Sequence, residues 1–353
     1  MKTFETYKEE FTKKALESGY SSDELIKCLV YAEPLFNKKL PIIYNLSHFA
    51  SHVGYNTKFI RRVIKTNGTE FFYRKYSILK KNGGERIINE PLPSLKEIQK
   101  WILDNILNKI PISPYAKAYT FNRSIKDHVK YHENQSIVLT MDIENFFDEI
   151  TTDKVENLFI DKGYSPLISN LLSKICTLNN SLPQGAPTSP RISNILMFPF
   201  DNEIAKYCKP KFIDGKKVQV KYTRYADDIA FSGEINKKEF VELVSNELQK
   251  LDLNLNEGKT IERKRSQQQI ISGILVNKKI QVPRKKRDEL RKAMYYIEKY
   301  GLENHLDRIE STKANYISHL LGIANYIVFI NPNDKKTLEI RAKLFEMKKN
   351  HKF

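Results

Sequence analysis

Tyr225-Ala226-Asp227-Asp228 sets two acids side by side between β-rich arms, VQVKYTR before and IAFSG after. Adjacent carboxylates between apolar strands are costly unless a cation neutralises them. A turn at Ala226-Asp227 sets at least one carboxylate at the sheet edge, where it can reach a metal. Asp142 has the same character, ending the apolar run SIVLTMD. If the two strands are neighbours in one sheet, the three carboxylates converge and can hold two Mg²⁺ ions roughly 3.5–4 Å apart, the spacing for in-line phosphoryl transfer. Hard oxygen ligands suit Mg²⁺, which keeps several waters and takes its remaining ligands from substrate phosphates. An isolated Asp-Asp pair is usually a solvated hairpin turn, so the reading depends on the company these acids keep.

The elements that must position them follow from periodicity. Apolar residues recur at helical spacing in SSDELIKCLVYAEPLF and LSHFASHVGY, so the first 60 residues read as short helices. YRKYSILKKNGGERIINEP reads as a hairpin, because Asn82-Gly83-Gly84 tolerates the positive φ a tight turn requires. An amphipathic helix follows in SLKEIQKWILDNILNKI, with Ser94 as its expected N-cap. Residues 136–143 read as a buried strand and 152–175 as helical. The Gly/Pro-rich loop SLPQGAPTSP then feeds an apolar helix. After KKEFVELVSNELQKLD come two short strands, near 269–276 and 279–282, and the chain turns helical and basic from Pro283. Strands and helices alternate in the middle with helices at both ends, an α+β arrangement.

The chain has 353 residues, enough for a substantial core, and 59 Lys plus Arg against 42 Asp plus Glu give it a formal charge of +17. That excess favours an anionic partner, nucleic acid or a membrane surface. Cys28, Cys176 and Cys208 lie far apart with no Cys-x-x-Cys pair, which argues against a zinc ribbon or a disulfide framework and fits a reducing cytoplasm. The charged start MKTFETYKEEFTKK has no apolar signal core, and no stretch approaches the roughly 18 apolar residues of a membrane span. A cytoplasmic protein without membrane association is expected.

With these elements in place, three boxes resemble those of reverse transcriptases, in the family's order. Tyr225-Ala226-Asp227-Asp228 looks like the Tyr-x-Asp-Asp box. Asp142-Ile143-Glu144-Asn145-Phe146-Phe147 resembles the first catalytic box, and Leu182-Pro183-Gln184-Gly185-Ala186-Pro187-Thr188-Ser189-Pro190 the Pro-Gln-Gly loop between them. The resemblance implies an RNA-directed DNA polymerase with a right-hand fold: a helical region over 1–70, fingers over 71–135, a palm with an antiparallel sheet over 136–282 (with a fingers insertion near 150–195), and a small helical thumb over 283–353. It also implies catalytic, metal-holding roles for Asp142, Asp227 and Asp228. Lys80, Lys81 and Arg86 would grip the triphosphate of an incoming deoxynucleoside triphosphate, and Phe147 would block a ribonucleotide 2′-OH. Gln184 and Gly185 would let backbone approach template and nucleotide, and Lys259 would serve the leaving pyrophosphate. By residue type alone, Arg86 is a charge on a solvated hairpin, Phe147 a core ring and Lys259 a surface lysine.

Three further segments are similar to bacterial retron enzymes. Ser124, Ile125 and His132 match their between-box element, although His128-Val129 stands where that group has Asn-Ala. Ile271-Ser272-Gly273 resembles their Val-Thr-Gly element, and His319 to Tyr326 their late Leu-x-Gly-x-x-x-Tyr helix. A retron enzyme implies a cognate structured non-coding RNA as template and primer, priming from the 2′-OH of an internal guanosine, a branched RNA–DNA product, an effector protein and defence against phage. RNA contacts are expected from His132 and from Lys285, Lys286, Arg287, Arg291 and Lys292 on one basic helix. His128 and His132 stand four apart, a metal-binding spacing, but no third Cys or His ligand lies nearby in sequence. Two rivals stay open at this point. One is another compact bacterial reverse transcriptase, of intron-like, diversity-generating or abortive-infection type. The other is a catalytically silent RNA-binding scaffold.

Overall fold

Strands form where β-branched and aromatic residues cluster between turn formers. In a computed structural model describing residues 3–65, 69–79, 83–213, 216–310 and 315–350, they are, in chain order, β1 (Tyr73–Leu79), β2 (Glu85–Pro91), β3 (Ile137–Asp142), β4 (Lys211–Ile213), β5 (Lys216–Val218), β6 (Lys221–Tyr225), β7 (Asp228–Gly233), β8 (Ile261–Lys264), β9 (Ile270–Ile271) and β10 (Ile274–Leu275). Most helices begin on polar caps. Ser21 and Glu24 form a reciprocal capping box at the start of Ser22–Asn37, and Asn45, Asn56, Thr151 and Ser165 each accept from a backbone N–H of the first turn they precede.

Chain contacts divide the protein into two units. The first comprises Met1–Tyr119, Ile143–Ile204 and Val244–Leu255. It holds the N-terminal helices and the β1–β2 ribbon, together with helices Pro93–Asn105, Thr152–Lys162, Pro166–Cys176 and Ser189–Leu196. Buried Gln99 ties three of these elements together, donating from Nε2 to Ile175 O and to Tyr73 Oη, each at 2.8 Å. Gly185, in the loop before Ser189–Leu196, has φ +127°, and a Cβ there would meet Asn89 O of β2 at 2.7 Å.

The second unit comprises Thr120–Asp142, Ala205–Leu243 and Asn256–Phe353. Its centre is an antiparallel sheet in the order β6-β7-β3-β8. Val138, Leu139 and Met141 of β3, with Ile229, Ala230 and Phe231 of β7, are buried. One hydrophobic cluster runs from Val138 and Ala230 through Ile271 and Ile274 to Leu290, Met294, Leu320 and Ile327 of the C-terminal helices. The sheet is therefore backed by helices that cannot separate from it without exposing that core.

The α+β expectation and the hairpins hold, but several boundaries differ. The helix expected to cap at Ser94 starts two residues earlier: Leu92 occupies the cap and makes no side-chain bond, and the ring of Pro93 supplies the φ of the first helical residue. The helical stretch 152–175 is two helices, ended by Gly163 in a left-handed conformation and restarted by Ser165-Pro166. Near 279–282 there is only an isolated bridge, Leu275 to Gln281. Instead β8, whose charged sequence IERK hides its pairing, forms the sheet edge beside β3. Among the described residues, no helix is long and apolar enough to cross a membrane.

Candidate active site

The register of the central sheet brings the acids together. Asp142, the last residue of β3, is the direct cross-strand partner of Asp228, the first of β7. In an antiparallel pair that places their Cα atoms about 4.5–5.5 Å apart. Tyr225 pairs with Asp228, so Ala226 and Asp227 form a two-residue loop, and the third acid projects from the turn at the same sheet end. Ala226 has φ +59°, positive at the first central position as a type II′ hairpin turn needs. A left-handed alanine costs about 1 kcal/mol, and the turn is braced: fully buried Arg224 donates from Nη1 to Ala226 O at 3.0 Å. Sequence reasoning passed over Arg224, although a guanidinium one residue before the acidic box, within a buried strand, was a visible signal.

Each carboxylate of the cross-strand pair has a side-chain partner. Lys259 Nζ donates to Asp142 Oδ1 at 2.8 Å, from a short 3-10 turn whose preceding Asn256 N–H donates to Asp142 O at 2.8 Å. Ser272 Oγ donates to Asp228 Oδ2 at 2.7 Å. Burial, then the neighbouring Asp228, pushes the Asp227 carboxyl up to about 6. Burial and the charge of Asp142 also raise Asp228, against the opposing pull of Ser272 and Lys259. The Asp142 bond and the nearby acids hold Lys259 above the ordinary lysine value. Among the described residues, no three His, Cys, Asp or Glu side chains are gathered closely enough to hold a metal ion by themselves. Mg²⁺ does not demand such a set, since it is commonly held by one or two carboxylates and completes its shell with water and phosphate. Three oxygen-only ligands at one sheet end, two of them strained towards protonation, fit such an ion.

Beneath the turn lies a buried histidine network. His132 bonds Ser232 Oγ of β7 through Nδ1 and Thr223 Oγ1 of β6 through Nε2, both at 2.7 Å. Thr223 Oγ1 also meets His128 Nδ1 at 2.8 Å, and the His128 ring lies 5.7 Å from that of Tyr225. His132 was expected to touch RNA. It is completely buried, so that expectation is corrected: the side chain clamps the two strands that carry the acidic turn. Burial, followed by the fields of His128 and Lys221, holds it well below its ordinary value, so it is neutral. Its contribution to stability is present above pH 6.5 and is lost as the pH falls, because the unfolded histidine then takes a proton that the folded one refuses. His132→Ala removes the imidazole partner of buried Ser232 Oγ and one of the two imidazole partners of Thr223 Oγ1, and should cost about 3 kcal/mol in urea unfolding. RNA affinity per folded molecule should stay unchanged. A selective loss of RNA binding would restore the earlier reading.

In the first unit, Arg86 and Gln184 line a groove of about 460 Å³ together with Lys75, Asn89, Asp148 and Leu182. Asn89 N–H of β2 donates to Gln184 O at 2.7 Å, and Leu182 N–H to Phe147 O at 3.2 Å. Phe147 is half-buried, its ring edge-on to Tyr119 at 6.5 Å. Arg86, Phe147 and Gln184 thus belong to one local scaffold, while Lys80 lies outside the described residues. On the basic helix Arg284–Tyr300, Lys285, Lys286 and Lys292 are exposed. Arg287 instead points inward to Asp334 at 3.5 Å, and Arg291 pairs with Asp288 at 2.9 Å, which leaves the three lysines as the outward charge.

A family model described as reverse transcriptase (RNA-dependent DNA polymerase) matches residues 78–272. The retron Ec86 reverse transcriptase of Escherichia coli is 30% identical over 309 residues, covering 86% of this chain and 90% of that protein. The retron Mx65 reverse transcriptase of Myxococcus xanthus is 28% identical over 77% of this chain and 64% of its own length. The retron Ec83 reverse transcriptase of Escherichia coli is 28% identical over 75% of this chain and 86% of its own length.

Proposed function

The chain belongs to the reverse transcriptase family and is a retron-type RNA-directed DNA polymerase, with the right-hand polymerase fold, and on that premise we propose that Asp142, Asp227 and Asp228 are its catalytic, metal-holding residues. The observation that carries this reading is the register: Asp142 opposite Asp228, with Asp227 in the adjoining turn. When bound, two Mg²⁺ ions would neutralise these carboxylates and the substrate phosphates and bring attacking and leaving oxygens into line. The chain's own residues do the rest. Arg224 holds the turn, His132 clamps β6 to β7, and Lys259, drawn to Asp142, keeps a positive charge where pyrophosphate would depart.

Arg86, Gln184 and Phe147 form the nucleotide side in this reading, with Phe147 excluding the ribose 2′-OH. The fingers take in the β1–β2 ribbon, the palm the four-stranded sheet, and the thumb the helices from Arg284 onward. Lys285, Lys286 and Lys292 offer point charges to RNA phosphates, a sequence-independent attraction that weakens with salt. The product is a branched RNA–DNA hybrid primed from a 2′-OH of a cognate structured RNA, made alongside an effector protein in defence against phage. What supports this finer reading is likeness to retron enzymes over most of the chain.

Its test is to purify the protein from its host and sequence the co-purifying nucleic acid, with and without debranching enzyme. The expected product is single-stranded DNA that separates from RNA only after debranching. DNA that is never RNA-linked would remove the branched product and leave the polymerase assignment standing.

A further inference from the structure

Ser272 occupies an unusual backbone position. Ile271 pairs with Ile274, so Ser272 and Gly273 are the two residues of a tight turn between β9 and β10, with φ +46° and +81°. Two successive positive φ values mark a type I′ turn, in which Asn-Gly, Asp-Gly and Gly-Gly are the comfortable sequences. A Cβ at Gly273 would meet nothing within 4 Å, so that glycine is required by its conformation alone. The turn would form more easily with a second glycine in place of serine. The flanking Ile271 and Ile274 are 1% and 0% exposed, locked into the same core cluster as Val138 of β3 and Ala230 of β7. The hairpin is thus fixed to the sheet that carries the acids, and its strained serine delivers a hydroxyl to Asp228 Oδ2 at 2.7 Å. Backbone strain at one residue, held by rigid flanks and spent on a charge-assisted bond to a site carboxylate, points to function more than to turn stability.

We propose that Ser272 is a positioning residue for polymerisation: its hydroxyl fixes the orientation of the Asp228 carboxylate, so that the cation and the reacting phosphate meet one arrangement of that acid. The inference rests on the reading that Asp228 serves catalysis. Ser272 acts only through its carboxylate partner and not on the substrate.

Ser272→Gly separates the two roles, because it removes the hydroxyl while easing the turn; Ser272→Thr keeps the hydroxyl. Two readouts are needed: the Mg²⁺ dependence of thermal unfolding, which involves no turnover, and kcat and KM for deoxynucleotide on a primed RNA template. For Ser272→Gly the metal-free Tm should equal or exceed that of the wild type. The Mg²⁺ concentration giving half the Tm shift should rise several-fold. Its kcat should fall about tenfold, equivalent to ~1.4 kcal/mol, with KM within about twofold. Ser272→Thr should restore the Mg²⁺ dependence of the folded protein. Wild-type Mg²⁺ dependence and kcat in Ser272→Gly would overturn the proposal, as would equal impairment of the Gly and Thr variants. Asp228→Asn tells the two levels apart. If it synthesises DNA normally, the catalytic reading of Asp228 fails; if it is inactive while Ser272→Gly is normal, only the role of Ser272 fails.

Discussion

Asp227→Asn is expected to lower RNA-templated DNA synthesis about a thousandfold, equivalent to ~4 kcal/mol, and to make the metal-free protein more stable. Both effects have one origin. Asp227 is drawn out of water at the tip of the β6–β7 turn, beside Asp228 and near Asp142, so its carboxyl rises from 3.8 to about 6. The folded state therefore binds the proton more tightly than the unfolded state does. Well below pH 3.8 both states are protonated and Asp227 carries no penalty; as the pH climbs from there the unfolded chain ionises while the folded one keeps its proton, and above about 6 the folded protein bears a charge it disfavours. Above that window, asparagine should gain about 1–3 kcal/mol over aspartate. Thermal melts in chelator from pH 4 to 7.5 measure this directly. The variant's advantage should be near zero at the acid end and full above pH 6, and Mg²⁺ should narrow it by stabilising the wild type alone. An advantage that does not change with pH would mean that the carboxylates are not crowded as the register implies.

Gly185→Ala should be a strongly damaging single-methyl change in the first unit. Its φ of +127° is open only to glycine, and the added Cβ would lie 2.7 Å from Asn89 O and 3.1 Å from Asn89 C and Ile88 Cγ2. Asn89 O belongs to the backbone of β2, held in the ladder with β1, so the clash cannot be relieved by a side-chain rotation. The loop must shift, and with it the bond from Asn89 N–H to Gln184 O. Strain and the lost hydrogen bond together should cost about 3 kcal/mol in urea unfolding. Because Gln184 moves with the loop, KM for deoxynucleotide should rise at least about tenfold, some 1.4 kcal/mol, while the Mg²⁺ dependence is kept. The glycine had been expected to allow approach of template and nucleotide. The structure shows an approach it already makes, to β2. Lost stability with unchanged KM would confine Gly185 to that packing role.

The acids were legible because their determinants are local. An apolar run ending in Asp142 and an acidic pair at a turn predict strand ends, and the sheet then pairs those ends directly. The partners of these acids were not legible. Lys259 lies 117 residues from Asp142, and Ser272 44 residues from Asp228, with nothing in either local pattern to announce a side-chain bond. His132 was misjudged because an imidazole looks polar in sequence, whereas two hydroxyl partners allow it to be buried completely. The inward turn of Arg287 could have been read: buried Leu290, Met294 and Ile297 trace one face of the helix, and Arg287, one turn before Leu290, falls on that stripe. The edge strand β8 escaped because one strand of mixed charges needs only a neighbour to pair with, not an apolar face.

The most direct test of the polymerase assignment is deoxynucleotide incorporation on a primed RNA template by the purified wild type and by Asp142→Asn, with RNA binding and unfolding followed in parallel. Template-dependent DNA is expected from the wild type and background synthesis from the variant, which should still fold and still bind RNA. Wild-type synthesis by Asp142→Asn, or incorporation that needs no RNA template, would contradict that assignment.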